Sequence, residues 1–377
     1  VIRLSVPSIE DDDVDAVAAV LRTGFLVQAA NVAKFEESLK SITGSKHAVA
    51  LTNCTAALQL ALLAIDVRPG DLVAVTAYSW ISTANVIELC GAQPVFVDID
   101  ERTFNMCPDA LEETLARITK TADGKRRLKA ILPVHTFGQM ADMTRLLAVG
   151  EKYGLPVVED AACALGATWK GKQAGSLGLM GCFSFHPRKA VTTGEGGAIT
   201  TDDGAIANRL RALRNHGLDP AAPTPDFIMP GFNCRMTEFQ GAFGVTQLAK
   251  MPRILGARQR LAKVYDGLLV GTSIQAPYVA PEATHAVQSY VTTLPEAVAP
   301  SRAAMIKTLR ERGIETNIGT WHMPMTTYFR TRYGFRPGDF PIADKVFARS
   351  LTLPLYEGLA EADLGKVVDE VRSLVGG

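Results

Sequence analysis

The sequence predicts an α/β protein with a mainly parallel sheet covered by helices on both faces, followed by a smaller α+β unit. Three observations carry that expectation. Short apolar runs end at Asn53 and recur at 72–76, 94–100, 129–135, 156–160 and 197–203, and stretches with helical spacing alternate with them. Such alternation is how parallel strands are connected. After a long helical stretch beginning near Thr237 the pattern changes, and 377 residues exceed what one core fills, since cores stop growing at roughly 250–300 residues. The chain is therefore divided into a large unit, 1–250, and a small one, 251–377.

Composition narrows the function. Lys plus Arg and Asp plus Glu both number 39, so no net field favours nucleic acid or an anionic membrane. Six cysteines, Cys54, Cys90, Cys107, Cys163, Cys182 and Cys234, are scattered without a CxxC pair, which argues for a reducing cytoplasm and against a metal site. The opening VIRLSVPSIEDDD lacks the basic start and apolar run of a secretory signal. The longest apolar run, 56–65, carries Gln59 and falls short of the roughly 20 residues a membrane span needs.

Taken in order, a first helix over 11–24 has three acids in its opening turn and Gly24 as its stop. A second spans 32–41 and closes near Gly44. The strand after it changes period at Asn53 into the apolar helix AALQLALLAI, so Asn53 to Ala56 form a strand-to-helix junction. Free backbone N–H groups and the positive dipole end suit such a junction to an anion, with Thr55 adding a hydroxyl; an ordinary helix cap explains it too. Strand 72–76 leads to a loop holding Tyr78 and Trp80, then helix 82–90 and strand 94–100. Helix 109–118, strand 129–135, helix 143–153 and strand 156–160 follow. The last delivers Glu159 and Asp160 at the carboxyl end of a buried run, where a carboxylate needs an arginine, a hydrogen-bonding partner or a charged ligand. Asp203 caps a helix through Arg214, 220–230 reads as an ordered or lid-like loop, and Thr237 with Gln240 forms a capping box. The small unit holds strands 289–294 and 314–318 and helices 302–312 and 360–374.

The chemistry gathers at FSFHPRKAVTTGEGG, 183–197. A polar turn there carries Ser184, His186, Arg188 and Lys189, and the Gly-Glu-Gly-Gly segment asks for a tightly folded backbone. An amine held out of bulk water loses part of its preference for charge and becomes a better nucleophile toward carbonyls. With Asp160 at a strand end, Trp80 on a loop that leaves another strand, and phosphate donors at Thr55 and Ser184, these are the parts that hold pyridoxal 5'-phosphate.

Those segments resemble the DegT/DnrJ/EryC1/StrS family of sugar aminotransferases, of aspartate aminotransferase fold type I. FLVQAANVAKFEESL, NCTAALQLALLAI, RPGDLVAVTAYSWISTAN, GAQPVFVDID, PVHTFGQMADM, VVEDAACALGA, LRNHG, GFNCRMTEFQGAFGVTQL and LTLPLYEGL extend the likeness over essentially the whole chain. The resemblance implies a mixed, mostly parallel seven-stranded sheet and a homodimer with shared active sites. It implies transfer of an amino group from glutamate to a keto sugar linked to a nucleotide, in two half-reactions through pyridoxamine phosphate. Lys189 then forms the Schiff base with the cofactor and shuttles the proton. Asp160 pairs with the pyridine nitrogen, Trp80 stacks on the ring, Thr55, Ala56 and Ser184 hold the phosphate, and Cys163 lies beside the ring. Asn233 corresponds to a residue that reaches the neighbouring subunit's cofactor phosphate, with Arg235 near the same shared site. Tyr78 and His322 are candidates for sugar contacts, as are Phe329 and Tyr333, and core packing explains each equally well.

Three positions depart from the family pattern: Cys54 where Gly is frequent, Cys163 where His or Gln is usual, and Thr76 where Pro is common. None removes a catalytic group. Relatives with His in place of the lysine run dehydration, which Lys189 argues against. An amino acid lyase of the same fold type, an aminotransferase acting on a cyclitol ketone, and a non-catalytic, cofactor-binding regulatory protein are the other readings.

Overall fold

Alternation along the strands decides the architecture. In the computed structural model, which describes residues 1–219 and 221–376, Val49 and Leu51 of β1 (His47–Leu51) enter one apolar core while Ala48 and Ala50 enter a second. In β2 (Leu72–Thr76), Val73 and Val75 join the first core and Ala74 the second. Successive side chains point to opposite faces, so strands apolar on both must be covered twice.

The remaining strands of this sheet are β3 (Gln93–Val97), β4 (Leu128–Leu132), β5 (Val158–Asp160), β6 (Met180–Ser184) and β7 (Gly197–Thr201). Two hydrogen-bonded groups, β3-β2-β4 and β5-β6-β7-β1, meet through parallel bridges from Ile131 to Val157 and from Val134 to Asp160. The result is the expected seven-stranded mixed sheet, in which β7 alone runs antiparallel to its neighbours. Because β7 is reversed, its first residue, Gly197, lies between Leu51 and Ser184 at the carboxyl edge of β1 and β6. Ligands of parallel α/β sheets bind at that edge.

Several strands are shorter than the sequence suggests, 156–160 beginning at Val158, 197–203 ending at Thr201 and 314–318 reduced to Asn317–Ile318, and for two others the reason is visible. The run 94–100 leaves the ladder after Val97, because the Asp98 carboxylate turns to accept the N–H groups of Ile342 and Ala343 at 3.0 and 2.9 Å. It thereby caps the helix Pro341–Arg349, which the sequence reading missed. The run 129–135 breaks at Pro133, which has no N–H to donate, and Val134 rejoins only as the bridge to Asp160. Helices Ala122–Arg127 and Thr327–Tyr333 and strand Ser350–Leu353 were likewise not anticipated. In the 220–230 loop, Pro220 lies outside the described residues; Phe227 bridges Leu218 and the Ile228 N–H donates to the Gly217 carbonyl at 2.9 Å.

The long helix Glu238–Leu269 opens with the expected Thr237/Gln240 capping box and contains Pro252. Leu248, Met251, Ile254 and Leu255 pack in the second core, and Leu261, Ala262, Tyr265 and Leu269 in a third, with Tyr290, Leu309, Leu351 and Val367. A division into units 1–250 and 251–377 is a proposal that this packing refines. The handover falls between Leu255 and Leu261, and Ile2 runs with the third core, Leu4 accepting from the Leu355 N–H. The units are stitched beside the sheet edge, where Tyr78–Ser79 pairs antiparallel with Trp321–His322. No helix among the described residues is long and apolar enough to cross a membrane.

Candidate active site

Asp160 is the last residue of β5 and is 3% exposed. Its carboxylate accepts the Thr83 hydroxyl at 2.7 Å and the Ala162 N–H at 3.1 Å. Among the described residues no lysine, arginine or histidine lies within ion-pair distance of it, so the arginine partner left open by the sequence is not there. Burial pushes its carboxyl above the usual range, and the bonds from Thr83 and Ala162 and the charge of Lys189 pull it back only in part. A buried acid held by neutral donors alone is short of a cation. The preceding residue has the opposite character: Glu159 is fully buried, but accepts from His135 at 2.8 Å and from the N–H groups of Gly175, Leu177 and Gly178 at 2.9, 2.8 and 2.6 Å. Burial raises its carboxyl, yet those bonds outweigh it and leave it below the ordinary value. Glu159 is thus a structural anchor, and Asp160 is the acid presented at the edge.

Lys189 reaches the same place from a closed loop. After β6 the Phe185 N–H donates to Gly196 at 2.9 Å, and the Phe185 carbonyl accepts from the Thr193 N–H at 3.0 Å and the Thr192 hydroxyl at 2.8 Å. Gly194 permits the closure with φ of +82°, a backbone region other residues rarely adopt. From the small unit, Gln288 clamps the turn by accepting the Ala190 N–H at 3.0 Å and donating to the Arg188 carbonyl. The half-buried Lys189 then places Nζ 3.0 Å from the Sγ of Cys163. Cys163 stands on the turn that follows Asp160, so one short segment carries both the edge carboxylate and the partner of the amine.

Two effects oppose each other on this amine. Burial pulls the Lys189 ammonium down, while Cys163 at hydrogen-bond distance, then Cys54 and Asp160, pull it up and leave it above the ordinary lysine value. Desolvation by itself therefore does not free the amine, because the burying groups are also electron-rich.

At the third corner the helix Cys54–Ala64 opens with Asn53 as its cap, whose Oδ1 accepts the Ala56 N–H at 2.8 Å. Thr55 is exposed and Ser184, closing β6, is half-buried. Between them Gly197 touches the junction so closely that a Cβ there would fall 2.3 Å from the carbonyl carbon and oxygen of Asn53 and 2.6 Å from the Cys54 nitrogen. Trp80, 60% exposed, follows the two-residue strand Tyr78–Ser79. An amine, a cation-deficient buried acid, an open indole and a helix N-terminus with adjacent hydroxyls match the donor set that pyridoxal phosphate requires.

The remaining predicted residues lie elsewhere. Tyr78 is fully buried, its hydroxyl 2.7 Å from Ser350 Oγ and accepting the Thr320 N–H at 3.1 Å. His322 is buried with Nδ1 3.3 Å from Asp344, and its Nε2 has no partner among the described residues. Phe329 is buried edge-on to Phe96, and the Tyr333 hydroxyl donates to Glu88. Asn233 is exposed and bridges Asn215 through its backbone, while Arg235 bridges Leu51, two residues before Asn53. Thr83 and Gln288 escaped the sequence reading. Thr83 sits one residue into a helix whose only visible signal was its apolar spacing, and Gln288 comes from the small unit, where no local pattern points back to residue 189.

The DegT/DnrJ/EryC1/StrS aminotransferase family model matches residues 7–372. GDP-perosamine synthase of Caulobacter vibrioides is 38% identical over 97% of this chain and 96% of its own. The spore coat polysaccharide biosynthesis protein SpsC of Bacillus subtilis is 36% identical over 99% and 97%. Among solved structures, a Streptococcus pneumoniae protein described as a sugar aminotransferase, in its PLP form, superposes with a TM-score of 0.92 at 28% identity, over 99% of this chain and 98% of its own. DesV of S. venezuelae, solved with a ketimine intermediate, gives 0.87 at 30% identity over 97% and 94%.

Proposed function

This chain belongs to the DegT/DnrJ/EryC1/StrS aminotransferase family, and we propose that it moves the amino group of glutamate onto a keto sugar carried by a nucleotide, with Lys189 and Asp160 at the reacting centre. It is an aminotransferase of amino-sugar biosynthesis that uses pyridoxal phosphate. The nucleotide is suggested by the name of GDP-perosamine synthase, a relative similar along its whole length.

The observation that carries the reading is the convergence of Asp160 and the Lys189 amine on the single turn 160–163. Pyridoxal phosphate, when bound, supplies an aldehyde for an amine to condense with and a ring that accepts electrons. Lys189 would hold the aldehyde carbon. Asp160 would face the ring nitrogen, where a proton satisfies the buried carboxylate and Thr83 keeps it oriented. Trp80 would cover a ring face, and Thr55, Ser184 and the first turn of the helix Cys54–Ala64 would hold the phosphate. Lys189 Nζ, once free, is the chain's proton carrier, and Cys163 Sγ fixes where it rests. Lys189 would give its proton to one carbon as acid and take one from another as base, the same Nζ serving both.

The active unit in this reading is a homodimer in which Asn233 reaches the cofactor phosphate of the second copy. Phe25, Val27, Phe227 and Ile228 are all more than half exposed, apolar side chains that a second copy would cover in this reading. The test is a two-stage assay on purified holoprotein. Glutamate alone should convert the cofactor absorbance to that of its amine form, and a nucleotide-linked keto sugar, but not a cyclitol ketone, should restore it. Borohydride should label Lys189, and Lys189→Ala should abolish both stages while remaining folded. Turnover by Lys189→Ala, or restoration by the cyclitol ketone alone, refutes the assignment.

A further inference from the structure

Lys189 is held from the small unit by a side chain that reaches across the boundary. Residues 285–289 precede the strand Tyr290–Thr293, which pairs with Ser350–Leu353. They lie against the loop 137–138, where the Ala286 N–H donates to the Gly138 carbonyl at 2.9 Å and the Ser289 N–H to the Phe137 carbonyl at 3.3 Å. Gly138 lets them close in, since a Cβ there would fall 2.9 Å from the Gln288 nitrogen. On the other side Arg258, 2% exposed and placed where the long helix passes from one core to the next, donates from Nε to the Val287 carbonyl at 3.0 Å and from Nη2 to the Gln288 carbonyl at 2.7 Å. The His285 Nδ1 accepts the Val287 N–H at 2.8 Å. This segment is locally unfavourable twice over. Val287 is β-branched yet has a φ of +47°, a conformation that costs about 1–3 kcal/mol, and the buried Arg258 guanidinium has no acid within ion-pair distance among the described residues. What both secure is the direction of one side chain. Gln288, itself buried, accepts the Ala190 N–H with Oε1 at 3.0 Å and donates from Nε2 to the Arg188 carbonyl, and no other group among the described residues bonds those two.

The two peptide groups that Gln288 holds are those on either side of Lys189, so one amide sets the direction in which the lysine side chain leaves the backbone. Nζ stands at the end of a long lever, and a tilt of about 10° at a pivot about 6 Å away displaces it by about 1 Å. A misplacement of that size at a reacting group costs about a hundredfold in rate. We propose that Gln288, with Arg258 behind it, is a positioning residue for Lys189: the small unit sets where the amine stands, and so how fast it moves the proton in either half-reaction. Both residues act through the main chain at 188–190 and not on the reacting atoms. The inference rests on the role proposed for Lys189, though not on which ketone is aminated.

Single turnover of the holoenzyme with glutamate, followed by absorbance as the cofactor passes to its amine form, tests this in two variants. Gln288→Met keeps the length and loses both bonds, and Arg258→Lys keeps the charge but lacks the planar fork that spans two carbonyls. Expected are a limiting rate lower by about tenfold to a hundredfold, glutamate affinity within about twofold of wild type, and a larger isotope effect with glutamate deuterated at its α carbon, because proton transfer by Lys189 has become the slow step. Melting temperatures and cofactor absorbance report that the variants are folded and loaded. A lower melting temperature with the isotope effect where it was is what a merely structural role gives, and it overturns the proposal, as does a wild-type rate in Gln288→Met. Should Gln288→Met not hold cofactor, Gln288→Glu, which keeps the acceptor for Ala190 and loses the donor to Arg188, carries the same expectation at smaller size and the same refutation. Any rate that added methylamine restores in Lys189→Ala should be the same when Gln288→Met is added, since Gln288 acts only through the missing lysine; a further loss overturns the proposal. If glutamate produces no amine form in wild type, the proposed function falls. Capture of pyridoxal phosphate by the Lys189 of apoprotein then decides the positioning, slower in Gln288→Met if it stands and equal if it does not.

Discussion

Replacing Gly197 by alanine would test whether β7 holds the junction Asn53 to Ala56, proposed to take the cofactor phosphate, in shape. The new Cβ would lie 2.3 Å from the carbonyl carbon and oxygen of Asn53 and 2.6 Å from the Cys54 nitrogen. Apolar contact is comfortable at about 3.5–4.0 Å, so that backbone must retreat by about 1 Å. Asn53 cannot move alone, because its side chain holds the Ala56 N–H and its carbonyl receives the Ala57 N–H. The first turn of the helix Cys54–Ala64 shifts with it, and with that turn the donors proposed to face the phosphate. Overpacking of this kind costs about 1–3 kcal/mol. If the strain is released when the junction opens, the whole of it is charged against cofactor binding, which weakens by about tenfold to a hundredfold. Titration of apoprotein with pyridoxal phosphate, followed by absorbance, measures this, and thermal melts of the apo and holo forms locate the strain. Wild-type cofactor affinity combined with a lower apo melting temperature would refute the reasoning, since the strain would then have gone into the sheet.

Three further predictions concern the groups around this edge. Asp160→Asn should leave the apoprotein as stable as wild type or more so, while cofactor binding and turnover collapse. Because the folded carboxyl sits above its ordinary value, its stabilising contribution is complete only below the unfolded pKa of about 3.9 and is lost as pH rises through the raised value; melts across that window should show wild type falling relative to the variant. Glu159→Gln should cost about 3 kcal/mol in urea unfolding, having removed the charge that holds His135 and three backbone N–H groups. The sign is opposite here: the Glu159 carboxyl is depressed, so its contribution is complete above about 4.3 and lost as pH falls through the lowered value, and the variant should lack that acid-limb dependence. Tyr78→Phe should destabilise by about 1–2 kcal/mol through loss of its bonds to Ser350 and Thr320; a raised sugar KM with unchanged stability would make it a substrate contact instead.

The large sheet was legible because its strands are buried on both faces and separated by helices with their own stops. Gly24 and Gly44, read from the sequence as stops, each close a helix in the left-handed conformation. The unread elements lack such marks. Helix Pro341–Arg349 owes its first turn to Asp98, more than two hundred residues earlier, and Thr327–Tyr333 is a short aromatic segment held by Phe96 and Glu88. Asp98 also illustrates how a distant partner shortens a strand: nothing local distinguishes PVFVDID from a longer one until its carboxylate is seen to be engaged elsewhere.

The site shows the same boundary between local and distant information. Lys189 could be singled out because the glycines after it describe a tight turn, and Asp160 because it ends a buried run. Their electrical states could not be read in the same way, since these depend on which groups the fold brings against them. Burial by itself would push Asp160 toward its neutral form and Lys189 toward its free amine, a pairing that stores no charge at the edge. The fold instead sets the Cys163 sulfur against the amine and gives Asp160 only the Thr83 hydroxyl and one N–H, so the lysine keeps its proton while the acid goes unpaired. A ligand bringing a carbonyl to Nζ and a protonatable nitrogen to Asp160 relieves both at once. Cofactor loading should accordingly raise the melting temperature of wild type by more than that of Asp160→Asn, in which only the first of these is relieved.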